Sequence, residues 1–209
     1  MVKVSTEINI TNEEIAEIQK EYNFDLSPFQ LKAISGIQNN QHVLITAHTG
    51  SGKTLPAEYA IRFFVKQGKR VIYTAPIKAL SNQKFNEFTE KYSNISFGIL
   101  TGDIKYNPEA EVLIMTTEIL RNQLIYMNKD ENENNVFSHF TMDLNKDLGC
   151  VIFDEVHYIN DLDRGKIWEE TIINLPKQVS MVMLSATIDR PNEFAEWIER
   201  RNDNKEVYL

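Results

Sequence analysis

Three short stretches carry residue types and spacings that could do chemistry: AHTGSGKT (47–54), DEVH (154–157) and SAT (185–187). Phosphate binding needs backbone N–H groups converging on a concavity, which crowded side chains would block. Gly50 and Gly52, alternating with Thr49 and Ser51, allow that approach, and a helix starting near Lys53 adds the partial positive charge of its N-terminus. Lys53 then reaches the β- and γ-phosphates, and the Thr54 hydroxyl binds Mg2+. The competing reading is a glycine-rich turn with an exposed lysine. HVLIT before the loop and LPAEYAIRFFV after it favour the phosphate reading, because they supply a buried strand and an amphipathic helix.

Asp154 follows four apolar residues, the place for a carboxylate that holds Mg2+ through water. Glu155 is the candidate that orients or deprotonates an attacking water. Alone, such an acidic pair is as readily a helix start; about 100 residues downstream of a phosphate loop, it is half of a nucleotide site. SAT is weak by itself, since small hydroxyl residues cap strands and helices. His157 in isolation is equally a structural histidine.

These residues need a scaffold, and the chain alternates strand and helix patterns. HVLIT (42–46), RVIYTA (70–75), SFGIL (96–100), EVLIMT (111–116), CVIFD (150–154) and SMVMLS (180–185) are nearly continuous apolar runs. Strands buried on both faces of a parallel sheet read this way. Helical patterns fall at 54–67, 78–91, 117–127 and 191–200, with Phe194, Trp197 and Ile198 on one face of the last. Two more, Asn12–Tyr22 and Pro28–Ile37, precede the first strand. The pattern predicts an α/β doubly wound domain with helices on both faces of a mostly parallel sheet. The stretch 128–147 opens with polar and charged residues lacking apolar periodicity, and it reads as a surface insertion.

The chain has 209 residues, 42% apolar and 25% charged, which is ordinary globular composition. Its one cysteine, Cys150, lies in an apolar run, so neither an internal disulfide nor a cysteine metal site is available. No apolar run approaches the roughly 20 residues of a membrane helix, and the N-terminus has no secretory pattern. A soluble intracellular protein is expected, with nucleus, cytoplasm and a viral compartment left open. A net charge of −8 argues against nucleic-acid binding by bulk electrostatics. Backbone N–H groups, hydroxyls and helix N-termini can still hold phosphates without altering that charge.

AHTGSGKT, DEVH and SAT, in this order and spacing, resemble motifs I, II and III of a superfamily-two DExH helicase. Ala47, where kinases and small GTPases usually show glycine, fits that family. YTAPIKALSNQKFNEF (73–88), LTGDIKYNPEAEVLIMTTEIL (100–120) and VIFDEVHYINDLDRGKIWEETI (151–172) closely resemble the Ski-like, exosome-associated RNA helicases. FDLSPFQ (24–30) resembles their Q motif. The resemblance covers roughly residues 20–200 and implies a RecA-like first motor domain at 23–209, after an N-terminal flanking segment with a helix at 1–22. It implies ATP and Mg2+ as cofactors, and 3′-to-5′ translocation on single-stranded RNA in RNA processing or decay.

By the same resemblance Gln30 reads the adenine edge and Phe24 stacks on the ring, with a plain core phenylalanine as the alternative. His157 couples the ATP site to Ser185 and Thr187 and to the partner domain. Pro76, Lys78, Gln83, Thr101, Gly102, Thr116, Thr117 and Glu118 form the nucleic-acid face. A DNA helicase of the related repair branch and a non-catalytic nucleotide-dependent scaffold remain the alternative readings. The sequence ends at KEVYL before any second RecA-like domain. Motifs IV to VI, with an arginine finger worth about 10³–10⁵ in rate, are therefore expected beyond residue 209. Weak nucleotide binding and poor hydrolysis by this chain alone follow. The exosome or an adaptor is a partner implied by family.

Overall fold

Near-continuous apolar strands demand cover on both faces, and the chain provides it. The computed structural model describes residues 2–3, 10–127, 142–201 and 206–209. Eight strands are present: β1 (His42–Thr46), β2 (Arg70–Ala75), β3 (Phe97–Leu100), β4 (Lys105–Tyr106), β5 (Val112–Thr116), β6 (Leu148–Phe153), β7 (Ser180–Ser185) and β8 (Val207–Tyr208). They form one sheet in the order β4-β3-β5-β2-β6-β7-β1-β8. Every pairing is parallel except β3–β4. The doubly wound sheet is as expected. The antiparallel β4 and the two-residue β8 carry too little periodicity to be legible. β6 begins at Leu148 rather than 150, because Leu148 pairs with Arg70 across a register shift. β3 and β5 each start one residue later than expected, at Phe97 and Val112.

Helices α1 (Asn12–Gln19), α2 (Pro28–Gln38), α3 (Thr54–Lys66) and α4 (Lys78–Lys91) pack Ile18, Ile34, Ile61 and Phe88 against one face. Helices α5 (Thr117–Met127), α6 (Gly165–Asn174) and α7 (Pro191–Arg201) place Leu120, Trp168 and Ile198 on the other. Strand residues alternate between these two layers: Val71 and Tyr73 face the α3–α4 layer, and Ile72 faces the α5–α6 layer. α1 starts in a capping box, where the Thr11 N–H donates to the Glu14 carboxylate (2.7 Å) and the Glu14 N–H to the Thr11 hydroxyl (3.2 Å). It stops at Gln19, short of the expected Tyr22, and Gln19 Oε1 accepts from the Leu26 N–H at 3.1 Å.

α6 has no counterpart in the sequence reading, since its β-branched TII run gives a mixed signal. Packing decides it: Trp168, Thr171 and Ile172 lie three and four residues apart and are buried together. Residues 128–141 of the expected polar insertion lie outside the described residues. Its last part is no surface insertion, because Met142 and Leu144 are core residues leading into β6. Cys150 is buried, as its apolar context indicated. Among the described residues no helix is long and apolar enough to cross a membrane.

Candidate nucleotide site and nucleic-acid face

Parallel strands deliver all their following loops to one edge of the sheet, and in open α/β sheets that carboxyl edge is where ligands bind. β1 leads into 47–54, β6 into 154–157 and β7 into 185–187, and these three strands are neighbours in the order β6-β7-β1. The Ala47 N–H donates to Ser185 O at 3.1 Å, joining the phosphate loop directly to SAT. Ser185 is buried and its hydroxyl donates to Thr187 O at 3.1 Å, whereas Thr187 is exposed.

The loop itself has the backbone that phosphate binding requires. Gly50 and Gly52 take φ of +86° and +83°, the region L side chains rarely adopt. A Cβ at Gly52 would meet Gln30 Nε2 at 2.6 Å. Thr49 is exposed and Ser51 Oγ is buried with no partner, an orphaned donor at the mouth of the cradle. Lys53 caps α3 and is buried, and Thr54 is the first residue of that helix, so its N-terminal end, with its partial positive charge, follows the loop directly. Lys53 Nζ lies 3.3 Å from Glu155 Oε1.

Glu155 sits at φ +52°, ψ +48°, left-handed for a residue with a Cβ, at a cost of about 1–2 kcal/mol. Strain of this kind concentrates at functional sites; here it turns the chain from β6 into a 3-10 turn over Val156–Asn160. Glu155 Oε2 and His157 Nδ1 approach to 3.2 Å but off line, and neither has a hydrogen-bond partner. Among the described residues no hydrogen bond joins His157 to Ser185 or Thr187. Asp154 is buried; its N–H donates to Thr74 O (2.9 Å), and its Oδ2 accepts from the Tyr73 hydroxyl at 2.6 Å. Burial pushes its carboxyl above the ordinary range, partly offset by the Tyr73 hydroxyl. Tyr73 was not among the expected site residues. The available signal was a phenol inside an otherwise aliphatic buried strand, since a buried hydroxyl needs a partner.

Gln30 is buried at the start of α2. Its Oε1 accepts from the Ser27 N–H (2.9 Å) and its Nε2 donates to Gly52 O (3.2 Å), leaving one further hydrogen bond at each atom. Phe24 is 51% exposed, which removes the alternative of a core residue. Its ring meets Tyr22 edge-on at 5.6 Å.

The residues fit a nucleotide with its cation. The orphaned Ser51 hydroxyl and the open position at Gly50 suit phosphate oxygens. Among the described residues no cluster of three or more His, Cys, Asp or Glu could hold a metal alone. Mg2+, which takes one or two protein oxygens plus phosphates, is the cation such a sparse set suits.

On the other half of the edge, β3, β5 and β2 deliver 101–102, 116–118 and 76–83. Lys78 is exposed and ion-paired with Asp103, and Gly102 abuts the Lys78 side chain, so the structure brings these two loops together. Gln83 and Glu118 are exposed, Pro76 and Thr101 partly so. Thr116 and Thr117 are buried, and Thr117 Oγ1 has no partner. α5 begins at Thr117, so its N-terminal N–H groups stand at this edge too.

The model of the DEAD/DEAH box helicase family matches residues 27–194. The chain belongs to that family. Among curated helicases it is 43% identical over all 209 residues to the antiviral helicase SKI2 of Saccharomyces cerevisiae. It is 47% identical, over 88% of its length, to the human exosome RNA helicase MTR4. The chain spans 15% and 16% of those two helicases. Among solved structures, the helicase MrfA bound to DNA matches 95% of the chain with a TM-score of 0.68 at 20% identity, over 29% of its own chain. That likeness is one of fold. As a helicase domain, the chain places residues 47–54, 154–157 and 185–187 on one half of the carboxyl edge and residues 76–83, 101–102 and 116–118 on the other.

Proposed function

We propose that this chain is the ATP-binding motor domain of a DExH RNA helicase that couples ATP hydrolysis to 3′-to-5′ movement along single-stranded RNA. The observation that carries the reading is the convergence of Lys53 and Glu155, 3.3 Å apart, from loops 102 residues apart in sequence. On the same edge, strand β2 runs straight into the candidate nucleic-acid face.

In this reading the N–H groups of 50–54 and Lys53 hold the triphosphate, while Gln30 and Phe24 hold adenine through an amide edge and a ring face. Thr54 and Asp154 would hold Mg2+, which when bound supplies charge neutralisation at the β- and γ-phosphates. Glu155, once released from Lys53, orients water and takes its proton. His157, Ser185 and Thr187 relay the state of this site to a second motor domain. Pro76, Lys78, Gln83, Thr101, Gly102, Thr116, Thr117 and Glu118 meet the RNA backbone through hydroxyls, N–H groups and the α5 N-terminus. That mode needs no basic surface, so a net charge of −8 is no obstacle. The Lys78–Asp103 pair, both partners exposed, is weak enough for a phosphate to displace. The MTR4 relative is an exosome RNA helicase, which supports the exosome as a partner; RNA processing or decay, with the exosome or an adaptor, is the setting this reading takes.

RNA-stimulated ATPase of the full-length protein carrying this chain is the test, with matched RNA and DNA strands as stimulators. Stimulation by RNA that Lys53→Ala abolishes is expected. Absence of any stimulation, with Lys53→Ala making no difference, overturns the reading; stimulation by DNA alone moves it to a DNA helicase. Preference for ADP over GDP in direct titration checks the adenine reading of Gln30.

A further inference from the structure

We propose that Tyr73 is a positioning residue for the metal-binding carboxylate Asp154, and that it ties the Mg2+ requirement of nucleotide binding to the strand entering the nucleic-acid face. The inference rests on the nucleotide-site reading above. Its basis is geometric. β2 and β6 are the central neighbours at which the two halves of the carboxyl edge meet. Their register pairs Tyr73 with Ile152 and Thr74 with Phe153. Side chains alternate, so Asp154, two residues after Ile152, returns to the face that Tyr73 occupies.

Two bonds from β2 then fix Asp154. The Thr74 carbonyl takes its N–H at 2.9 Å, and the Tyr73 hydroxyl donates to Oδ2 at 2.6 Å. Of the two carboxylate oxygens only Oδ2 is bonded by a described side chain, which leaves Oδ1 as the oxygen presented to a cation or its water. Tyr73 itself has little freedom. It is wholly buried, and the Phe88 ring of α4 packs against it edge-on at 5.4 Å. Lys84 of the same helix lies over Phe88 and ion-pairs with Glu87 at 2.9 Å. Three residues after Tyr73 comes Pro76, and Lys78 opens α4. A displacement of this strand and helix by a bound strand of nucleic acid therefore acts on the hydroxyl that aims Asp154.

Tyr73→Phe removes the hydroxyl and keeps the ring. Binding of a fluorescent ADP analogue is titrated against Mg2+ and repeated in EDTA. The Mg2+ concentration at half-effect should rise about tenfold, as for loss of a residue bonded to a metal ligand, while affinity in EDTA stays at the wild-type value. An unchanged Mg2+ midpoint, or an equal loss with and without Mg2+, overturns the inference. An Asp154→Asn, Tyr73→Phe cycle separates positioning from general loosening. If Tyr73 acts through Asp154, its substitution adds nothing to the effect of Asp154→Asn; additive effects count against it. Failure of the wild-type chain to bind ADP at all overturns the nucleotide-site reading itself; binding by wild type with equal midpoints overturns this inference alone.

Discussion

Lys53 Nζ stands 3.3 Å from Glu155 Oε1, so the cation expected to grip phosphate is already engaged by the carboxylate expected to orient water. Both side chains are largely withdrawn from solvent, so the pair is more than a surface contact, and a nucleotide must part it.

Glu155→Gln separates the two roles. It removes the charge that competes with phosphate for Lys53, so nucleotide affinity should rise about tenfold, the equivalent of 1.4 kcal/mol. Hydrolysis by the full-length protein should fall about 10²–10⁴-fold with the loss of the base. Equilibrium titration with a fluorescent nucleotide and a steady-state ATPase assay read the two effects separately.

Gly52→Ala should harm fold and site together. The new Cβ must sit at φ +83° and meets Gln30 Nε2 at 2.6 Å. The backbone term costs about 1–2 kcal/mol. Displacement of the Gln30 amide should weaken nucleotide binding about tenfold, the worth of one lost hydrogen bond. Thermal unfolding and calorimetric titration with ADP check the two parts.

Asp154→Asn should stabilise the nucleotide-free chain while weakening Mg2+-dependent binding. Burial raises the Asp154 carboxyl above its ordinary value. The folded state therefore holds the proton more tightly than the unfolded state, and stability falls as pH rises through the window between the two values. Above that window the ionised carboxylate is a standing cost, which asparagine removes. The melting temperature should rise at neutral pH, by about 2–4 °C for each kcal/mol recovered. The difference from wild type should close only as pH falls to about 3, below the ordinary aspartate value of about 3.9, where the carboxyl is protonated in both states.

Alkaline unfolding should follow the buried phenols. Burial raises Tyr22 to about 12 and lifts Tyr59, and in Tyr92 the neighbouring Glu58 adds to burial. Tyr73 is raised by burial and by Asp154. Unfolded tyrosine titrates near about 10. Between about 10 and 12 the folded chain holds more protons, so the stability present below that window is lost as pH rises through it. Phenolate absorbance should show four of the eight tyrosines ionising late and together with loss of circular dichroism.

Much of this helicase domain is readable locally. Apolar runs announce six of the eight strands, and Pro28 and Pro191 announce helix starts. The glycines of 50–52 carry the phosphate loop, because a loop that needs positive φ shows its requirement in the residues themselves. The acidic pair at 154–155 and the long motif resemblances carry the family within local stretches of sequence. What only the tertiary structure decided lies between elements. Sheet order set Tyr73 against Asp154, 81 residues apart, and Lys53 against Glu155, 102 apart. Packing made Gly165–Asn174 a helix despite its mixed signal, and drew Met142 and Leu144 into the core. It also left Phe24 half exposed, edge-on to Tyr22. Periodicity and capping are written in neighbouring residues, whereas the partner of a buried polar atom is chosen by strand order and register, which no single segment encodes.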